Sequence, residues 1–166
     1  VVVDCTDNFE ARFLINDACV ILKKPLIYGS IFQYEGQVGV FNVKKKDKFT
    51  PNYRDIFPTA DDAFIPNCEE GGVMPTIVGT IGSIQATEAI KLIAGVGKLL
   101  ASKLFIFDSS NMTSYIMKLP TFTNVSIEKL EKRHAVLLDE YSKSNANNVV
   151  MQMYRTQMHD ILEQIQ

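Results

Sequence analysis

The sequence predicts an α/β domain whose sheet begins with parallel strands and ends in an antiparallel hairpin. Three observations carry this. The chain opens strand, helix, strand; a strong helix follows a long irregular segment; and two short strands flank a polar turn near residue 110.

Residues 1–5 form a β-branched run, and Leu14, Ala18 and Ile21 lie along one face of a helix predicted over 9–22. Pro25 cannot continue that helix, so 26–28 reads as the next strand, ended by Gly29 and Ser30. Such a unit builds parallel sheets. A further strand is expected over 37–43, followed by Lys44, Lys45 and Lys46, which read as a solvated turn. Residues 44–72 are mostly irregular, with Pro51, Pro58, Pro66, Gly71 and Gly72; a loop of that length is usually functional or disordered.

A helix is expected over 74–94. Small and apolar residues on most of its faces, including Gly79 and Gly82, suggest that it is buried and that its glycines allow close backbone approach. Gly95 stands where a C-terminal cap belongs. Strands over 104–107 and 114–119 flank Asp108, Ser109, Ser110 and Asn111. The last forty residues differ. Ile127, Leu130, His134, Leu137 and Tyr141 fall at helical spacing, and 150–165 reads as a second helical stretch. The expected division is therefore a domain over 1–125 and a helical extension over 126–166 that docks on it.

The 166 residues suffice for one domain with a real core. A formal charge of −2 leaves no electrostatic footprint for a nucleic-acid partner. No apolar run approaches a membrane span, because Lys91 interrupts the longest, so no membrane partner is expected. Cys5, Cys19 and Cys68 are odd in number and scattered, a pattern suited to reduced thiols in a cytoplasmic protein. The chain starts without methionine, inside what reads as a buried strand, so the first part of the native protein is expected to be missing.

Few residues offer chemistry. Asp7, at the carboxyl end of the first strand, is placed where open α/β sheets bind ligands and could hold a magnesium–phosphate group. It could equally cap the following helix, with Glu10 completing a capping-box-like pattern. Neither reading outweighs the other on the residues alone. Cys68, on the long loop before Glu69 and Glu70, could reach a reactive carbonyl, but the adjacent acids would raise its pKa and a lone cysteine is more often inert. Cys5 and Cys19 are expected in the core. The two histidines, His134 and His159, have no second ligand at metal spacing, and no C-x-x-C pair or glycine-rich phosphate loop is present.

The string from Asp4 to Arg12 resembles the D-x-T-D-N-x-x-x-R signature of the ThiF/MoeB/HesA adenylyltransferases, bacterial relatives of the ubiquitin-activating enzymes. The resemblance continues through 25–29, 35–38, 52–58 and 66–73, and is most specific over 79–91. It implies a partial Rossmann-like sheet with a crossover loop. It also implies adenylation, with ATP and magnesium, of the C-terminal glycine of a ubiquitin-like sulfur carrier (ThiS/MoaD-like) for thiamin or molybdopterin synthesis. In these terms Asp7 holds magnesium, Thr6, Asp7 and Asn8 contact the nucleotide, and Cys68 matches a cysteine that some members use covalently. A homodimer is also implied. Zinc-bearing members have cysteines where this chain has Asn52 and Asp55, and a second pair near 120–125, so a zinc-free member is expected. The family's glycine-rich loop, ribose-binding acid, catalytic arginines and lysine all precede the first strand, so residues 1–166 alone are not expected to adenylate. Two further readings remain: a non-catalytic carrier-binding scaffold, and a relative that adenylates a tRNA-bound carboxyl group.

Overall fold

The computed structural model describes residues 1–58, 72–123, 125, 126, 128, 130–132, 135 and 136. Cys68, most of the crossover loop, both histidines and the helical stretch expected over 150–165 lie outside the described residues.

The main sheet comprises β1 (Val2–Val3), β2 (Leu26–Phe32), β3 (Glu35–Phe41), β6 (Lys103–Asp108) and β7 (Thr113–Lys118), in that spatial order. β1 and β2 are parallel and joined through helix α1 (Phe9–Ile21); the remaining pairings are antiparallel. The short strands β4 (Lys44–Lys45) and β5 (Lys48–Phe49) make a separate hairpin from the lysine-rich stretch, and all three lysines Lys44, Lys45 and Lys46 are exposed. A 3₁₀ turn (Tyr53–Asp55) and the long helix α2 (Pro75–Ala94) complete the architecture.

Several expectations change. β2 does not stop at Tyr28: it runs through Gly29 and Ser30 to Phe32, paired with β3 in register from Leu26–Phe41 to Phe32–Glu35. Its glycine serves helix packing, as described below, instead of ending the strand. β1 is an edge strand among the described residues, with Val1 and Val3 exposed, not the buried strand expected.

α2 also differs. Only Ile77, Ile81, Gln85 and Glu88 are buried, a single stripe, while Val78, Ile90 and Ile93 are exposed. Gly79 and Gly82 have open space where a Cβ would stand. The close approach comes from the sheet: a Cβ on Gly36 would lie 2.3 Å from the Ile81 side chain, and one on Gly29 2.3 Å from that of Gln85. Burial of about 25 cal/mol per Å² of apolar surface favours this seating only because the sheet offers bare backbone there. α2 begins with Pro75 at its first turn and stops at Gly95 in the left-handed conformation. By length and composition it is also the one helix among the described residues long and apolar enough to cross a membrane, with a mean hydropathy of 1.2 over 18 residues. Lys91 does not lower it below that limit. Its buried polar groups find partners inside the domain: Glu88 accepts from the Leu100 amide at 2.9 Å and pairs with Lys91.

On the other face of the sheet, α1 and the 3₁₀ turn cover a core of Phe13, Tyr28, Phe41, Tyr53, Leu104 and Ile106. Phe13 and Tyr53 meet edge-on at 5.1 Å. The turn is clamped to α1 by a buried ion pair. The Arg54 Nε and Nη2 each donate at 2.6 Å to Asp17, whose side chain is fully buried. Asn16 accepts from the Tyr53 amide at 2.8 Å.

Removing one member of a buried pair strands the other's charge, which costs about 3–5 kcal/mol. Asp17→Asn and Arg54→Met are each expected to lower urea-unfolding stability by that amount. Lys45→Met, on the exposed hairpin, should change it by less than about 0.5 kcal/mol.

Candidate functional site

The segment between β1 and α1 is held at Asp4, Thr6 and Asn8. Asp4 is buried, and its Oδ1 accepts from the Thr6 amide at 2.9 Å and the Thr6 hydroxyl at 2.6 Å. This is the Asx turn that aspartate favours two residues before a free N–H. The Asp4 amide donates to the Ile27 carbonyl at 2.9 Å, and its carbonyl accepts from Gln85 Nε2 at 2.8 Å. The Thr6 carbonyl accepts from Arg12 Nη2 at 3.0 Å, while Arg12 Nη1 donates to the Ser30 hydroxyl at 2.8 Å.

α1 is capped by Asn8, not by Asp7. Asn8 has extended backbone angles, and its Oδ1 accepts from the Ala11 amide at 2.8 Å. The Asp7 carboxylate is left exposed outside the cap, with its Oδ1 accepting from Asn8 Nδ2 at 3.2 Å. Glu10 lies in the first turn, where its charge suits the helix dipole, and closes no capping box with Asp7.

Asp7 stands at a cavity of about 230 Å³ lined among others by Cys5, Arg12, Ser30, Gly82 and Gln85. Of the sequence-predicted Thr6, Asp7 and Asn8, the first two line this cavity, while Asn8 caps α1 beside it. The Thr6 hydroxyl and the Asn8 Oδ1 are engaged with Asp4 and the helix cap, while the Asp7 carboxylate is exposed and its Oδ1 accepts one bond, from Asn8. An exposed carboxylate at the carboxyl edge of parallel strands fits a hard, oxygen-seeking cation.

Cys5 is exposed at this cavity, which corrects its expected place in the core. Cys19 is buried, and burial pushes its thiol up to about 12. Tyr53 is raised by burial above all, with the Arg12 guanidinium pulling the other way. Arg12 is itself buried, and among the described residues its Nε and the Tyr53 hydroxyl meet no partner at hydrogen-bonding geometry.

Asn52 and Asp55, at the positions where zinc-bearing relatives were expected to differ, bond to each other. Asp55 Oδ2 accepts from both the Asn52 amide and its Nδ2 at 2.9 Å. The same Nδ2 donates to the Thr123 hydroxyl at 2.8 Å, tying the 3₁₀ turn to the segment after β7.

The scaffolding roles of Asp4, Arg12, Gly29 and Gln85 are absent from the sequence reading. Two signals pointed to them: a glycine inside a strand pattern marks a close approach, and an aspartate two residues before a threonine amide marks an Asx turn.

A parallel edge carrying an exposed carboxylate, continued by antiparallel strands, defines a partial Rossmann-like domain. The chain belongs to the ThiF family, which it matches over residues 1–128. It is 49% identical over 112 residues to a protein of Drosophila grimshawi named adenylyltransferase and sulfurtransferase MOCS3, covering 67% of this chain and 24% of that one. It is 42% identical over 113 residues to the probable adenylyltransferase/sulfurtransferase MoeZ of Mycobacterium tuberculosis H37Rv, covering 68% and 29% respectively. The chain therefore spans 24% and 29% of these two relatives' length. In fold it is similar to the crystal structure of Escherichia coli MccB with ATP, at a TM-score of 0.57 and 16% identity, over 76% of this chain and 38% of that one.

The two readings of Asp7 separate in solution. Asn8→Ala should cost about 1 kcal/mol of stability through loss of the cap. Asp7→Ala should change it by less than about 0.5 kcal/mol. Equal losses in thermal unfolding would contradict the assignment of the cap.

Proposed function

We propose that the full-length protein adenylates the C-terminal glycine of a ubiquitin-like sulfur carrier, of the ThiS/MoaD-like kind, with ATP and magnesium. The observation that carries this is the Asp7 carboxylate left exposed at the cavity, outside the helix cap that Asn8 takes. The names of the relatives, adenylyltransferases and sulfurtransferases, support it. The product would enter thiamin or molybdopterin synthesis in the cytoplasm.

In the reaction the carrier's carboxylate attacks the α-phosphorus of ATP, and the bond to the β,γ-pyrophosphate breaks, leaving an acyl-adenylate. Magnesium, when bound, would neutralise charge on the leaving pyrophosphate. The chain's own contribution is placement. Asp7 presents an oxygen ligand, Asp4 and Arg12 fix the backbone before it, and Asn8 fixes the backbone after it. Cys68 keeps, within this proposal, the covalent step with the carrier that the resemblance implies. Residues outside this chain would supply the rest of the phosphate-binding charge, and β1 is an edge strand among the described residues. The Asn52–Asp55–Thr123 bonds support a zinc-free member, since both side chains are engaged with neighbours. The exposed Ile90 and Ile93 on α2 support a homodimer that covers this part of the helix.

Carrier-dependent ATP–pyrophosphate exchange by the full-length protein tests the proposal. Exchange that needs a diglycine-tailed carrier and falls at least about 100-fold in Asp7→Ala is expected. No exchange with any carrier, from folded protein that binds one, would overturn it.

A further inference from the structure

We infer that Gln85 is a positioning residue for the Asp7 carboxylate, acting from α2 through the buried backbone of Asp4. This rests on the reading of Asp7 as a metal ligand given above. Gln85 lies 81 residues away in sequence, yet its Nε2 donates to the Asp4 carbonyl at 2.8 Å, and its side chain is buried. Two residues, Cys5 and Thr6, separate that carbonyl from Asp7, and the Thr6 backbone between them has little freedom. Asp4 Oδ1 holds Thr6 twice, and Arg12 holds the Thr6 carbonyl. A shift at Asp4 is therefore carried to Asp7 by the Asx turn, not absorbed by a slack loop.

The seat of Gln85 is built for a close approach. Gly29, paired with Val38 across β2 and β3, faces the carboxamide so tightly that a Cβ there would lie 2.3 to 2.5 Å from its terminal atoms. Glycine thus lets the amide pass over the strand and reach β1. Glu88, one turn further along α2, ties the helix to the Leu100 amide, so the helix has a second anchor on the fold. Gln85 also lines the cavity at which Asp7 stands. An amide that packs against bare strand backbone and reaches the far strand does more than fill a core position. An apolar side chain would fill that place without a buried polar group to satisfy. Remote groups that orient a ligand side chain typically change metal affinity by about 10- to 100-fold when removed.

The test is binding of Mn²⁺, used as the magnesium probe, to the full-length protein with ATP, followed by the electron paramagnetic resonance of free Mn²⁺. Asp7→Ala reports on the underlying reading, and Gln85→Met reports on the inference. Gln85→Met is expected to weaken Mn²⁺ binding about 10-fold while the protein still melts cooperatively. Gly29→Ala, which displaces the same carboxamide, should weaken it similarly, and should add nothing in a Gln85→Ala background, where its methyl group has room. Wild-type affinity in folded Gln85→Met or Gly29→Ala, with binding lost in Asp7→Ala, would overturn the role of Gln85 and leave that of Asp7 standing. Full additivity in the double variant would also overturn it. Metal binding that ignores Asp7→Ala would overturn both.

Discussion

Asp4 is the point on which the site depends. Buried at the end of β1, it uses its amide on β2, its carbonyl on α2 and its carboxylate on Thr6. A buried carboxylate without partners would cost several kcal/mol or give up its charge. Here it accepts two short bonds from the residue it must hold, and Asp7 lies one residue further on. Burial of one acid makes exposure of the next one useful.

The division of labour between neighbouring residues follows from hydrogen-bond capacity. A carboxylate that caps a helix has its acceptor directions taken by backbone amides, and has little left for a cation. Asn8 removes that conflict, because its amide oxygen takes the cap and its NH₂ faces Asp7. The cap is thus taken by Asn8, and the Asp7 carboxylate stays exposed beside it.

Much of the fold was legible in the sequence. The strand–helix–strand opening, the cap at Gly95 and the terminal hairpin all rest on local patterns, and all are present. What was not legible depends on partners distant in sequence. Gly29 reads locally as a strand end; it continues the strand because Gln85 must pass it. The glycines of α2 read as contact points, whereas the bare surfaces are Gly29 and Gly36 on the sheet. Cys5 follows a β-branched run and reads as core, but β1 ends at Val3, which leaves its side chain at the cavity. Within the site, the motif placed Thr6, Asp7 and Asn8 together without distinguishing the holders from the held. That distinction lies in hydrogen bonds, which a string of residue types does not contain.

The central claim is that Asp7 binds the metal of a nucleotide complex. The most direct measurement is an anomalous-difference map from crystals of the full-length protein grown with Mn²⁺ and a non-hydrolysable ATP analogue. A peak about 2.0–2.2 Å from an Asp7 carboxylate oxygen is expected, with Asn8 still capping α1. A peak held by other ligands, with Asp7 turned back onto the helix N-terminus, would contradict it.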